Sequence, residues 1–196
     1  GYDLRPGVYG KSAIIRKRDL NQYQLTHADI VLTVTNELRR QINKLFREDY
    51  LTFARLDLPH VHEKVICRKN NWNKSIGDNL FLTNGTTGFV EYVNRESYNG
   101  RSIEIDFRPD FTTKTFRNIP IDYKNLMNLE KSEAQKSLTY GLDLFEFAYA
   151  ITVYSSQGSQ WDNVTCLAEL YGSNDFQKKV LYTMVTRAIQ SVTLAL

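Results

Sequence analysis

Cysteine, histidine and proline are scarce in this chain. Its two cysteines, Cys67 and Cys166, stand far apart in apolar settings (VICRK and NVTCLAE). That excludes a disulfide-stapled scaffold and reads as two buried thiols in a reducing compartment. The three histidines, His27, His60 and His62, share no neighbourhood with the cysteines, and the HVH triplet has no further ligands at useful spacing, so no metal site is expected. Four prolines and ten glycines leave no room for a low-complexity linker. No apolar run approaches the ~18 residues of a membrane span, and the N-terminus lacks the basic-then-apolar order of a secretory signal. The expectation is a cytoplasmic chain with no membrane partner. It begins Gly-Tyr rather than Met, as an excised fragment does.

The chain also lacks the parts of a self-sufficient nucleoside triphosphatase. Gly7-Val8-Tyr9-Gly10-Lys11-Ser12 ends like a phosphate-binding loop, but the first glycine of that motif falls on Arg5. No apolar strand precedes it to aim backbone N–H groups at a phosphate. No apolar strand ends in a pair of acidic residues to hold Mg²⁺, and no acidic cluster has the layout of a nuclease.

What is present is ordinary globular material: 196 residues, 42% hydrophobic, 24% charged, with a net charge of +3. That suffices for one domain, or one domain carrying an insert. Residues 1–50 hold nine Lys/Arg against six Asp/Glu, and Arg16-Lys17-Arg18, Arg39-Arg40 and Arg68-Lys69 make local positive patches, a weak sign of a phosphate partner.

Hydrophobic periodicity divides the chain. Residues 13–15 read as a short strand and Asp29–Val34 as a buried parallel strand, followed by the cap Thr35-Asn36 and a helix over Glu37–Phe46. Phe147–Tyr154 and Asn163–Glu169 are predicted strands, Phe176–Ile189 a helix and Ser191–Leu196 a last strand. This alternation predicts an α/β fold, a parallel sheet in three layers. Between Lys64 and about Leu144 the pattern changes to short alternating strands. Asn84-Gly85 and Asn99-Gly100 punctuate them, the second as a hairpin signal, which predicts a small inserted antiparallel barrel. Residues 125–141 are polar and helix-permissive.

Two segments carry chemistry. Ala148–Val164 (AYAITVYSSQGSQWDNV) sends a buried strand into a polar turn, Ser155-Ser156-Gln157-Gly158-Ser159, at the end of a strand where open α/β sheets bind ligands. Val180–Ala188 (VLYTMVTRA) buries Leu181, Met184 and Val185 on one helix face and leaves Thr183, Thr186 and Arg187 near its end.

In this order the two segments resemble motifs V and VI of superfamily 1 DNA helicases, and of their RecD-like branch in particular. Ala28–Asn43 resembles motif IV, Lys64–Trp72 with Asn84–Gly88 resembles the entry into an inserted Src-homology-3-like (SH3-like) barrel, and Arg5–Gly10 with Ile15–Leu20 resembles the stretch before motif IV. The likeness spans most of the chain except about 105–140. It implies a RecA-like parallel three-layer domain, residues 1–72 and 145–196, carrying a small antiparallel SH3-like β-barrel over 73–144. It further implies the C-terminal part of an ATP-dependent 5′-to-3′ helicase or translocase of the exodeoxyribonuclease V alpha type. ATP and Mg would be held largely by a missing N-terminal RecA-like domain, so neither is expected tightly bound to this fragment, which alone should be inactive.

Residue by residue, the resemblance makes Arg187 an arginine finger and either Arg39 or Arg40 a second cation. Gln157 and Gly158 fall beside the γ-phosphate, with Gln160 near the nucleotide. Thr35, Asn36, Thr152, Tyr154, Ser156 and Thr186 fall on the track of single-stranded DNA. Trp72 either stacks on bases or fills the barrel core, with core preferred. Two positions depart from the family: Tyr154 replaces its usual His, and Gln160 its usual acidic residue. The implied partners are single-stranded DNA, the missing domain and other subunits of a nuclease or replication complex. The competing reading is a non-catalytic nucleic-acid-binding or adaptor module derived from a helicase. A phosphate loop encoded upstream would discriminate between the two.

Overall fold

The computed structural model, which describes residues 5–51, 58–77, 79–127 and 141–196, divides into two compact units. One comprises residues 1–52 and 149–196, the other 53–148.

The first unit opens with a hairpin, β1 (Gly7–Tyr9) and β2 (Ser12–Ile15), in which Tyr9 pairs with Ser12. Gly10 takes a left-handed φ of +63° at the bend. Gly10-Lys11 is therefore a two-residue turn between antiparallel strands, with no helix behind it to receive a phosphate. After α1 (Gln22–Thr26), β3 (Ile30–Thr33) runs into α2 (Asn36–Leu45) and a π-helical turn, Phe46–Tyr50.

The chain leaves this unit and returns as β11 (Ala150–Thr152), a 3₁₀ turn (Val153–Ser156), β12 (Trp161–Leu167), α4 (Asn174–Val185) and β13 (Ala188–Ala195). The sheet order is β1-β2-β13-β12-β3-β11, parallel throughout except for β1. All four residues of β3 are buried. Successive side chains point to opposite faces, so the sheet is covered on both.

Two elements differ from the pattern-based expectation. The strand expected over Phe147–Tyr154 is divided: Phe147 ends a strand of the second unit, Ala150–Thr152 is β11, and Val153–Ser156 is the 3₁₀ turn. Thr152 stops the strand, its Oγ1 accepting the Ser155 N–H at 3.4 Å. The last helix starts earlier because Ser173 caps it through the Phe176 N–H (3.3 Å). It ends before Ile189, which belongs to β13.

In the second unit, β4 (Lys64–Cys67), β7 (Thr87–Asn94), β8 (Ser102–Pro109), β9 (Phe116–Asp122) and β10 (Phe145–Phe147) form an antiparallel sheet ordered β10-β4-β7-β8-β9. Strands β5 (Asn71–Ser75) and β6 (Phe81–Leu82) pair separately, and α3 (Tyr123–Leu126) follows β9. Asp143, just before β10, bridges to Ile121 of β9. Its N–H donates to Pro120 O (2.8 Å) and its carbonyl accepts from Asp122 N (3.0 Å), which links the two edges of the sheet. Ile66, Val90, Ile103, Ile105, Phe107 and Phe145 are fully buried, with Phe107 edge-on to Phe145 at 5.1 Å. Gly88 faces Pro109 where the strands come so close that a Cβ would collide with Arg108 O.

The units change at 52/53 and 148/149, where the expected boundaries were 72/73 and 144/145. The reason is pairing: β4 and β10 join each other and β7, which takes both into the second unit. Asn99-Gly100 makes a tight turn, Asn99 Oδ1 accepting from Arg101 N (3.0 Å) and Ser102 N (2.9 Å). That turn sits inside a longer connection that also contains a 3₁₀ turn, Arg95–Ser97, because the β7–β8 ladder already ends at Asn94 and Glu104. Of the polar stretch 125–141, residues 128–140 lie outside the described residues.

Candidate functional site

Register places the expected site residues at two opposite edges of the parallel sheet. Thr152 pairs with Thr33, and Thr33 with Leu167, so these three mark the carboxyl edge of β11, β3 and β12. Trp161 pairs with Ala188 at the start of β12 and β13. That edge lies six residues down β12 from Leu167, about 20 Å away.

At the carboxyl edge, β3 turns into α2 through Thr35. Its Oγ1 accepts the Leu38 N–H at 3.3 Å and donates to Glu169 Oε2 at 2.5 Å, and its N–H reaches the same oxygen at 3.1 Å. Glu169 thus puts a carboxylate against the positive end of α2, where the helix dipole stabilises it. Asn36 is exposed. Arg40 pairs with Glu37 at 2.9 Å on the exposed face of α2, whereas Arg39 packs with its Nε shielded from solvent.

Thr152 and Ser156 turn inward. Thr152 is buried, with its hydroxyl 3.1 Å from that of Ser155. Ser156 is 0% exposed and donates its hydroxyl to Val153 O at 2.7 Å. Both residues, expected on the DNA track, are buried, and their hydroxyls hold the 3₁₀ turn. Tyr154, in the same turn, is 53% exposed. Gln157 and Gly158 are exposed beyond it. Gly158 has φ +82°, with open space where a Cβ would be, so backbone conformation and not crowding calls for glycine there.

At the amino edge the end of α4 and the approach to β12 are stitched together around Arg187. Its Nε donates to Thr183 O (3.2 Å), one terminal nitrogen to Ser159 O (3.3 Å) and the other to Thr186 Oγ1 (3.2 Å). None of these acceptors is a carboxylate, and the side chain is half-buried. Gln160 donates its amide to Thr186 O at 3.3 Å. Thr186 in turn donates its hydroxyl to Thr183 O at 3.1 Å. A neutral donor, and not a carboxylate, therefore braces the helix end. The main chain is tied as well, Trp161 N–H donating to Arg187 O at 2.9 Å.

This arrangement is a positive charge held in a fixed orientation by neutral oxygens, suited to an external anion. Among the described residues no group of His, Cys, Asp and Glu side chains is arranged to hold a metal ion. Burial pushes the Cys67 thiol up to about 11 and the Cys166 thiol up to about 12, so both stay protonated and unreactive at neutral pH. No helix among the described residues is long and apolar enough to cross a membrane. The sequence pattern did not single out Glu169 or the Ser159 carbonyl. An isolated acidic residue just after an apolar strand was the available signal for the first; a backbone acceptor leaves none.

Residues 147–195, from the last residue of β10 through β13, match the family model described as the UvrD-like helicase C-terminal domain. No curated protein matches the chain in sequence. Among solved structures it is similar to the Pif1 helicase from Candida albicans, at 16% identity and a TM-score of 0.51, over 86% of this chain and 44% of that one. Bacteroides Pif1 bound to single-stranded DNA shares 13% identity at a TM-score of 0.47, over 84% and 40% of the two chains. The Bacteroides enzyme in complex with ADP-AlF3 and single-stranded DNA shares 15% at 0.48, over 84% and 39%. The chain spans less than half the length of each. The Candida likeness is one of fold.

Proposed function

We propose that this chain is the C-terminal part of an ATP-dependent 5′-to-3′ DNA helicase or translocase of RecD-like, exodeoxyribonuclease V alpha type, in which Arg187 is the arginine finger. The observation that carries this reading is the set of acceptors around its guanidinium: Thr183 O, Ser159 O and Thr186 Oγ1, with no carboxylate among them. An arginine whose task is structural is usually neutralised by an acid, as Arg101 is here by Asp122 at 3.3 Å. Arg187 keeps its full charge and is aimed by dipoles. Such a cation stabilises the charge that develops on a transferring phosphoryl group.

In this mechanism the nucleotide and Mg belong to the missing N-terminal RecA-like domain, and this chain contributes charge. Thr183, Ser159 and Thr186 orient the guanidinium, and Gln160 holds Thr186 in place. Gln157 and Gly158 form the exposed turn that would meet the nucleotide side of the partner domain. Either Arg39 or Arg40, both on α2, supplies the second cation; Arg40 also pairs with Glu37. Asn36 and Tyr154, both exposed, are the strand contacts retained from the sequence reading; Thr35 is committed to capping α2 and holding Glu169. The second unit is read as an SH3-like barrel, supported by the Asp143 link between its sheet edges, and the first as a three-layer RecA-like domain. Other subunits of a nuclease or replication complex are further candidate partners.

The test is Arg187→Ala in the parent protein. DNA-stimulated ATP turnover should fall by roughly 10³–10⁵-fold, the usual range for removing an arginine finger, with nucleotide affinity nearly unchanged. Unaltered turnover removes Arg187 from this role.

A further inference from the structure

The second unit carries a cleft of about 440 Å³ that the motor reading does not use. One wall is β5 and Ile76; the other runs from Lys114 into the first residues of β9. Lys74, Lys114 and Arg117 line it, with Ile76 and Phe116 as apolar neighbours and no carboxylate among its described lining residues. Lys74 is pinned across the cleft, its Nζ donating to Asn118 O at 2.9 Å and Arg117 O at 3.4 Å. An ammonium carries three donors, so one is left to aim at a ligand. Arg117 is 77% exposed in its side chain and stands 3.7 Å from Asp106 Oδ2. Asp106 accepts the Asn118 N–H at 2.9 Å through its other oxygen, so it stays satisfied when Arg117 turns to a different acid. Large apolar side chains flank these cations along the chain. Trp72, two positions before Lys74, is 63% exposed, and Phe111, three before Lys114, is 65% exposed. The sequence reading preferred a place for Trp72 in the core, and the structure puts it on the surface.

We propose that this cleft docks an extended acidic segment of a partner protein, one in which carboxylates stand next to large apolar side chains. The Arg117 guanidinium takes a carboxylate through two parallel N–H bonds, and the lysines take others as point charges. Lys74 is already held in place, so ordering it at the moment of binding costs little. The cleft's volume lies in the range that encloses a small ligand, which suits a short extended stretch of polypeptide. Charge alone would accept any polyanion, and the apolar lining decides among them. Ile76 and Phe116 offer nothing to a phosphodiester chain, whereas they can cover a leucine or phenylalanine side chain. In an extended peptide successive side chains point to opposite sides, so alternating acidic and apolar residues meet cations and apolar surface together. Segments of that composition are disordered alone and become ordered on a complementary groove. The site lies wholly in the second unit and involves none of the Arg187 machinery, so it stands whether or not that residue meets a nucleotide.

The experiment uses the 196-residue chain and a fluorescein-labelled, end-blocked peptide, Asp-Leu-Asp-Phe-Asp-Leu, followed by anisotropy. Two control peptides each keep half of the chemistry. Asp-Ser-Asp-Ser-Asp-Ser keeps the charge, and Asn-Leu-Asn-Phe-Asn-Leu keeps the apolar side chains. Each control should bind about tenfold or more weakly than the first peptide. The triple variant Lys74→Gln, Lys114→Gln, Arg117→Gln should lose about tenfold or more in affinity for the first peptide. Arg117→Gln alone, an exposed change that spares the fold, should lose about threefold or more. No binding at about 1 mM of the first peptide overturns the proposal, since that is weaker than specific docking requires. So does equal affinity for either control, or undiminished binding by Arg117→Gln. Displacement by oligothymidylate as strong as by unlabelled peptide, at the same concentration of negative charge, also overturns it and leaves the cleft a site for any polyanion.

Discussion

The side chain of Asn43 pairs with the main chain of Ala150 as a neighbouring strand would. Its amide nitrogen donates to Ala150 O at 2.9 Å, and its Oδ1 accepts from Ala150 N at 2.8 Å. Ala150 lies in β11, the edge of the parallel sheet, where backbone groups have no further strand to bond. One asparagine on α2 thus closes a buried edge and ties the helix to the strand that leads into the 3₁₀ turn.

Asn43→Ala should therefore destabilise the chain by about 2–4 kcal/mol, because it strands a buried N–H and C=O together. Urea unfolding followed by far-ultraviolet circular dichroism measures this. A loss under about 0.5 kcal/mol would mean that water replaces the amide at no cost.

Thr35 joins two elements through one hydroxyl. Thr35→Val removes the α2 cap and the hydroxyl bond to Glu169 while leaving the backbone N–H bond to it, and should cost about 1–2 kcal/mol. Thr35→Ser keeps the hydroxyl and should stay within about 0.5 kcal/mol of the unmodified chain. Equal losses in the two variants would assign the effect to the methyl group.

Asp143 supplies a pH dependence. Burial raises its carboxyl pKa above 3.8, opposed by the Asn71 amide, which lies 3.0 and 2.9 Å from the two oxygens, and by the charges of Lys69 and Lys74. The folded chain then holds this proton more tightly than the unfolded chain does. Its contribution to stability is full below 3.8 and declines as pH rises through the raised value. Asp143→Asn should flatten that part of the curve of unfolding free energy against pH. An unchanged slope would show that burial does not govern this carboxyl.

Arg187→Lys tests geometry apart from charge. An ammonium is a single point and cannot span the acceptors on Thr183, Ser159 and Thr186, so it takes up no fixed direction. ATP turnover of the parent protein carrying lysine should remain within about tenfold of the alanine variant. Recovery to the unmodified rate would make charge alone sufficient.

Much of the fold was legible because its signals are local. The β-branched run Ile30–Thr33, followed by Thr35-Asn36 and an amphipathic stretch, yields β3 and α2 from pattern and capping alone. The turn after β11 was not legible. Val153 and Tyr154 have strand-forming side chains, and the break is made by the Thr152 hydroxyl one residue earlier. Ser156 read as a solvent-facing hydroxyl because serine composition does not reveal that the turn folds it beneath itself. Asn43 was discernible only as a polar residue between Ile42 and Phe46 on an apolar face. Trp72, expected in the core, is 63% exposed: an aromatic in an alternating strand is usually interior, but among the described residues β5 pairs with just the two residues of β6.

The bond from Trp161 N–H to Arg187 O gives the basic side chain a rigid root. Its tip is held by three oxygens, and its Cα cannot wander without breaking a rung between β12 and β13. Any large stroke that brings this cation to or from an anion must carry the entire sheet as a lever, so a stiff scaffold, not a flexible arm, sets the reach of the charge.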